Sequence, residues 1–316
     1  MTNLVTAGRK SPGPKRILVT GGLGAVGGQL VHELRSRGHD VWILDRLHSD
    51  DPQYLRADVG EYRQFENAVR RAEPEYVFHL AAEFGRWNGE DFYETLWRSN
   101  VIGNKPLIRL QEQLEFRTVF FSSSEVYGDW PSVMTEDVMD EEEIKQLNDY
   151  AISKWAGELQ HLNAQAMSGL LTVRVRLFNV YGPGEHFSPY RSALCRFLYS
   201  GLKREQIVVY RGHSRSWLYV ADAVASLASI VDNFQSGEVY NIADGTEYSM
   251  DELAELVKEA LDIPSSLIEY KDGEPFTTRT KHVDISKAVR DLGHQPTTTL
   301  RVGIDQTIEW LRQVYL

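Results

Sequence analysis

The sequence predicts a doubly wound α/β fold, a parallel central sheet with a smaller C-terminal lobe, and four successive segments carry that prediction. A short apolar run, Arg16–Thr20 (RILVT), leads into the glycine-rich string GGLGAVG. The string leads into QLVHELRSRG, with apolar residues at helical spacing, and then into a second apolar run, Val41–Asp45 (VWILD). Strand, glycine turn, helix and strand in that order make the first βαβ unit of a doubly wound sheet.

The alternation continues along the chain. Gly38 stops the first helix. Phe65–Ala72 reads as a helix ended by Pro74, and Tyr76–Ala82 (YVFHLAA) as a buried strand. Leu96–Leu114 predicts one long helix with a kink at Pro106. Thr118–Gly128 (TVFFSSSEVYG) predicts a strand running into a loop, Tyr150–Ala166 a helix, and Leu171–Gly182 (LTVRVRLFNVYG) another strand. Strands alternating with helices imply a parallel sheet. After Gly182 the pattern loosens into a turn-rich loop, GPGEHFSPYR. WLYVADAVASLASIV restores a strand–helix pair and EVYNIADG adds a short strand. Met250–Leu316 is mainly helical, with loops around Pro264 and Pro275. The acidic run Glu136–Glu143 reads as a solvated loop or helix start. The expected division is a Rossmann domain over 16–182 and 215–245, a lobe over 183–214 and 246–316, and a flexible tail over 1–15.

Composition narrows the function classes. The chain has 316 residues, 42% hydrophobic and 25% charged, the balance of a soluble globular protein with a large core. A formal net charge of −11 argues against a nucleic-acid or anionic-membrane surface, which needs a basic footprint. The single cysteine, Cys195, permits neither an intramolecular disulfide nor a cysteine-based zinc site, and suits a reducing, cytoplasmic setting. His79, His186 and His213 lack metal-ligand spacing, so no metal is expected. No run reaches the ~18 apolar residues that a membrane span needs.

Gly21, Gly24 and Gly27 form G-x-x-G-x-x-G between a strand and a helix. Glycine permits the tight turn and the close approach of backbone to a pyrophosphate, which the helix N-terminus then faces. Ala25 and Val26, inside the motif, belong to the same contact. Asp45 lies 18 residues beyond Gly27, at the end of the second strand. A carboxylate there accepts hydrogen bonds from a ribose diol and repels a 2′-phosphate, which favours NAD over NADP. Arg46 works the other way, since a neighbouring arginine can tolerate that phosphate.

Tyr150 and Lys154 stand in YAISK, at i and i+4 on one helix face. An ammonium near a phenol favours the phenolate, so the expected role of Tyr150 is a general base with a lowered pKa. Ser123, at the C-terminal edge of the sheet, is the candidate hydroxyl that shares the substrate proton. An exposed Tyr–Lys pair on a helix surface is the alternative reading of these residues.

Taken together, TGGLGAVG, LDR, Asp58–Val59, HLAA, RSNVIGN, SSSEVYGD, YAISK, RLFNVYGPG, SRSWLYVADAV, VYNIADG and DISKAVRDLG resemble, in order, the extended short-chain dehydrogenase/reductases of the nucleotide-sugar epimerase/dehydratase group. The resemblance implies that Asp58 and Val59 contact the adenine, that Leu80, Ala81 and Ala82 line the dinucleotide, and that Asn100 sits under the active site. It implies that Ser123 is the active-site hydroxyl, with Tyr127 as its marker, that Tyr150 is the base, and that Lys154 holds the nicotinamide ribose. Asn179 and Arg215 match positions that bind the substrate's diphosphate, with Arg279 a further candidate. The implied chemistry is oxidation at C4 of a nucleotide-sugar by NAD, a transient 4-keto sugar, and return of the hydride. The resemblance also implies a homodimer through the helices Leu96–Leu114 and Tyr150–Ala166, with Trp97, Leu107, Trp155 and Leu159 as facing residues. Core packing is the alternative for those four, and Trp87 and Trp217 likewise divide between stacking on a base or sugar and ordinary burial.

Ser123-Ser124-Glu125 bears on the branch. 4,6-Dehydratases resemble Thr-Asp-Glu at this point, so the acid is missing here while Glu125 keeps a base. UDP-glucuronate decarboxylases resemble Thr-Ser-Glu, which Ser124-Glu125 fits, yet EFGRWNGEDFYETLW after HLAA matches neither pattern. A 4-epimerase needs only the serine and tyrosine. The expected order is 4-epimerase first, then decarboxylase and dehydratase together, with Glu125 either chemical and substrate-contacting or a structural carboxylate. Outside this class stand a non-catalytic NAD-sensing relative and an NADPH-consuming reductase. Tyr150 and Lys154 argue against the first and Asp45 against the second.

Overall fold

The computed structural model describes residues 13–274 and 277–316. Most of the expected tail, and the loop at Pro275, lie outside the described residues. The opening unit is β1 (Arg16–Thr20), α1 (Ala25–Ser36) and β2 (Asp40–Asp45), followed by β3 (Tyr54–Arg56), α2 (Tyr62–Ala72) and β4 (Tyr76–His79). Next come α3 (Arg86–Asp91), α4 (Tyr93–Trp97), a π-helical turn (Arg98–Ile102), α5 (Asn104–Leu114) and β5 (Arg117–Ser123). A 3-10 turn (Ser124–Tyr127) leads to α6 (Val138–Glu141), α7 (Asp149–Ser168), β6 (Thr172–Leu177) and β7 (Asn179–Tyr181). The remainder is α8 (Ala193–Lys203), β8 (Ile207–Arg211), β9 (Ser214–Tyr219), α9 (Val220–Ser229), β10 (Val239–Ile242), β11 (Glu247–Ser249), α10 (Met250–Leu261), β12 (Ile268–Asp272), α11 (Ser286–Leu292) and α12 (Leu300–Tyr315).

Seven strands form one parallel sheet in the order β10-β6-β5-β4-β1-β2-β3. β1 and β4 are apolar and buried on both faces because helices cover both sides. The chain winds outward from β1 in both directions, so the loops that leave the paired carboxyl ends of β1 and β4 turn to opposite sides and open a crevice. Three further strands (β11-β9-β7) and a parallel pair (β12-β8) build the lobe's small sheets. Its separate core joins Phe197 of α8, Leu253 and Val257 of α10, and Ile304 and Leu311 of α12.

Several sequence expectations change. The long helix 96–114 is interrupted at Arg98–Ile102, not at Pro106, which sits in the first turn of α5 where its missing N–H costs little. The wide turn buries Asn100 toward the neighbouring backbone. The run 171–182 splits at Phe178, so β6 stays in the large sheet while β7 joins the small one. β9, expected in the Rossmann domain, also belongs to the small sheet. α11, expected in the lobe, instead packs Ala288 and Leu292 into the main core beside α9 and β10. Leu107 is core, whereas Leu159 is 48% exposed. Among the described residues no helix is long and apolar enough to cross a membrane.

α7 is docked by a buried charge cluster. Glu158, wholly buried, accepts from Ser122 Oγ (2.6 Å), Arg176 Nε (3.0 Å) and Nη2 (2.9 Å), and Arg174 Nη1 (3.2 Å). Arg176 also donates to the Tyr127 hydroxyl (2.8 Å), which donates to Asn241 Oδ1 (2.7 Å). Removing the anion leaves two buried guanidinium groups uncompensated. Glu158→Gln is therefore expected to cost about 3–5 kcal/mol in chemical denaturation; a loss under about 1 kcal/mol, the size of an ordinary surface change, would overturn this account.

Candidate active site

The crevice is a cavity of about 610 Å³ lined from both the sheet edge and the lobe. One end is the glycine turn. Gly21 holds φ +69°, and a Cβ there would lie 2.8 Å from the Ala81 nitrogen. A Cβ on Gly27 would lie 2.1 Å from the Gly21 carbonyl oxygen, so this turn tolerates no side chain. α1 starts at Ala25 after Gly24, with no side chain capping its first amides, which leaves them for an anion. Asp45 lines the cavity, accepting from the Leu23 and Leu47 amides (both 3.1 Å), which fixes its carboxylate. Asp58, Val59, Leu80, Ala81 and Ala82 continue the same wall. Asp58 is paired with Arg98 (2.9 Å). These features fit a dinucleotide: a backbone cradle for the pyrophosphate and a carboxylate for a ribose.

The chemical end lies where β5 stops. Ser123, its last residue, accepts from the Glu125 amide (3.2 Å) and hydrogen-bonds the Tyr150 phenol. Lys154 donates to the Phe121 carbonyl (2.9 Å) and lies 5.9 Å from the Tyr150 ring centroid. Burial pushes Tyr150 up to about 12, with Ser123 pulling the other way and the charge of Glu125 adding to the rise. The expected lowering by Lys154 is thus outweighed here, because burial penalises the phenolate and the nearby Glu125 charge adds to that penalty. Burial pulls Lys154 itself down to about 8, opposed by Glu158. Asn100 lies beneath, donating to the Glu83 carbonyl (2.9 Å) and Ser153 Oγ (3.0 Å), outside the cavity lining.

On the lobe side, Asn179 and Arg215 both line the cavity. Arg215 is buried, and its hydrogen-bond partners are neutral: the Ser214 carbonyl (2.7 Å), the Arg279 carbonyl (3.1 Å) and Thr277 Oγ1 (2.8 Å). Its positive charge faces the cavity without a direct ion pair among the described residues and acts on the nearby Glu125 and Glu274. Arg279 corrects the expectation, since its side chain is exposed and it contributes only that carbonyl. Trp87 and Trp217 line the cavity, Trp217 with its body in the lobe core.

The residue that sequence reasoning missed is Lys281. It is buried and donates to Glu125 Oε1 (2.5 Å) and Ser124 Oγ (3.0 Å) across 156 residues of chain. The second oxygen of Glu125 accepts from Asn148 (3.2 Å), the residue that caps α7. Burial pushes Glu125 up, but Lys281, then Arg86 and Arg215, more than offset this and hold it at about 2. Burial brings Lys281 down to about 8 against the pull of Glu125. Arg86 and Glu274, paired at 2.8 Å, also line the cavity and were not singled out. A lone lysine in TRTKHVD offers no local signal, since only the fold brings it to the end of β5.

A glycine-rich phosphate cradle at one end of the crevice, with a tyrosine and a lysine from one helix face at the other, fits a dinucleotide-dependent enzyme. The chain belongs to the NAD dependent epimerase/dehydratase family, whose model matches residues 17–243, and it is an enzyme of that NAD-dependent kind. It is 27% identical to the UDP-N-acetyl-alpha-D-glucosaminuronate decarboxylase of Bacillus cytotoxicus, over 95% of this chain and 98% of the relative. It is 31% identical to UDP-glucuronic acid decarboxylase 6 of Arabidopsis thaliana, over 92% and 86%. The solved UDP-glucose 4-epimerase of Thermotoga maritima, with UDP-glucose, superposes with a TM-score of 0.86 at 26% identity, over 95% of this chain and 99% of that one.

The Glu125–Lys281 pair carries a pH signature. Glu125 is held below its ordinary value of 4.5, so its stabilisation is present above about pH 4.5 and lost as pH falls toward about 2. The stability gap between wild type and Glu125→Gln should therefore narrow on acidification from neutral pH through that window. A gap that stays constant in denaturant titrations would show that the pair does not hold the carboxylate ionised.

Proposed function

We propose that the chain is a nucleotide-sugar 4-epimerase that works through a transient 4-keto sugar. The observation that carries this reading is the state of Glu125. Both of its oxygens are engaged, one by Lys281 and one by Asn148, and its pKa near 2 makes it a weak base. Elimination of water needs a base beside the sugar, whereas epimerisation needs proton traffic only at C4.

In this reading the glycine turn and Asp45 hold NAD, which supplies a hydride acceptor when bound. Arg215 and Asn179 hold the substrate's diphosphate, by charge and by hydrogen bonding. The sugar's C4 hydroxyl enters between Ser123 and Tyr150. Tyr150 takes the hydroxyl proton through its contact with Ser123, and returns it after the keto sugar has turned its other face. Lys154, beside the ring and fixed by the Phe121 carbonyl, stabilises negative charge that develops on the phenol oxygen.

A second reading has its own support. Lys281, with a pKa near 8 and in contact with both Ser124 and Glu125, is a proton source that an epimerase does not use. A uronate decarboxylase needs a proton for the carbon that loses CO2, and the two curated relatives above are named as such enzymes. One experiment separates the readings: mass spectrometry of products after incubation with UDP-, dTDP-, GDP- and CDP-sugars, including a uronic acid. An isomer of unchanged mass is expected, formed by wild type and not by Tyr150→Phe that retains NAD. Loss of CO2 would move the assignment to the decarboxylase, and loss of water to a dehydratase.

We also propose a homodimer through α5 and α7, supported by Ile152 and Leu159, which α7 leaves 41% and 48% exposed. Light scattering should give twice the chain mass for wild type and a monomer for Leu159→Glu; a dimer unchanged by that substitution would place the interface elsewhere.

A further inference from the structure

The stretch EFGRWNGEDFYETLW, which fits neither the dehydratase nor the decarboxylase pattern, opens with an acid that faces the cofactor wall. Glu83 lines the cavity, and one of its oxygens pairs with Arg46 Nη2 (2.9 Å). Its other oxygen accepts from Asn88 Nδ2 (3.1 Å), in α3 of the same stretch. The backbone of Glu83 is clamped as well. Its amide donates to Asn100 Oδ1 and its carbonyl accepts from Asn100 Nδ2, both at 2.9 Å. The carboxylate therefore sits on a fixed support, with 15% of its side chain exposed against 56% for Arg46. The acid is the anchored partner and the arginine is the exposed one.

Arg46 is the residue next to Asp45, at the place where a 2′-phosphate on the adenosine ribose would find a cation. We propose that Glu83 is a specificity-determining residue for the cofactor, which takes up the guanidinium of Arg46 and so withholds it from a 2′-phosphate. Two carboxylates then meet a phosphorylated ribose, Asp45 by position and Glu83 by occupying the guanidinium of the residue next to it. An exposed pair of this kind adds little to stability. Its effect is on which anion Arg46 can reach, since a doubly charged phosphate next to a freed guanidinium gains charge-assisted hydrogen bonds. Glu83 thereby gives the aberrant stretch a purpose separate from the fate of the keto sugar.

The test reads bound cofactor, not turnover. Each purified protein is unfolded and refolded, or otherwise stripped, in an equimolar mixture of NAD and NADP, and the dinucleotides released on denaturation are quantified by chromatography. Glu83→Gln keeps the size of the side chain and its backbone clamp, and should raise the NADP-to-NAD ratio about fivefold or more over wild type. The double variant Arg46→Ala/Glu83→Gln should lose that rise, because the freed guanidinium is its source. Arg46→Ala alone controls for folding, and should bind NAD with no gain in NADP. A ratio unchanged in Glu83→Gln, or a rise that survives removal of Arg46, would overturn the proposal.

Discussion

The active site depends on one buried contact, the carboxylate of Glu158 against Arg174, Arg176 and Ser122. Tyr150, Lys154 and Glu158 follow one another at four-residue spacing and share a face of α7. Ser122 precedes Ser123 at the end of β5, and Arg176 lies on β6 alongside it. A single charge cluster therefore sets the distance between the strand that ends in Ser123 and the helix that carries Tyr150. Ionic bonds in a dry interior are directional and costly to leave half made, so the helix has one seat on the sheet. An apolar contact would hold the layers together with less control over their register.

Around that seat, opposite requirements are met at the two ends of the cavity. The cradle end is made of backbone and excludes side chains, because a pyrophosphate needs close amides. The chemical end is crowded with ionisable groups whose charges are set by their neighbours. Burial raises Tyr150 and lowers Lys154 and Lys281, while Glu125 stays anionic because Lys281 is beside it. The 3-10 turn after β5 unites these effects. It is capped by Ser123, carries Ser124 and Glu125, and meets both the cap of α7 and a lysine from the C-terminal segment.

Much of this was legible in order along the chain. The strand–glycine–helix–strand opening, Asp45, the Ser-rich strand end and YAISK each obey a local rule of spacing, and each lies on the wall of one cavity. What misled were continuous patterns that the fold interrupts. Leu96–Leu114 has helical periodicity throughout, but Asn100 must turn inward to reach Glu83 and Ser153, and the backbone widens to allow it. Leu171–Gly182 is one apolar run, yet its two halves serve different sheets. Arg279 carried the right charge and the wrong direction.

The sequence by itself determined the fold class, the cofactor type and the placing of Tyr150 and Lys154 on one helix face, because each rests on residues close together in the chain or on the regular period of a helix or strand. Only the tertiary structure decided the ionisation of Glu125, the burial of Lys281 beside it and the capture of Arg46 by Glu83. Those outcomes depend on groups 156 and 37 residues apart in the chain. Electrostatic energy is set by distance in space and by the exclusion of water, and neither is written in local spacing.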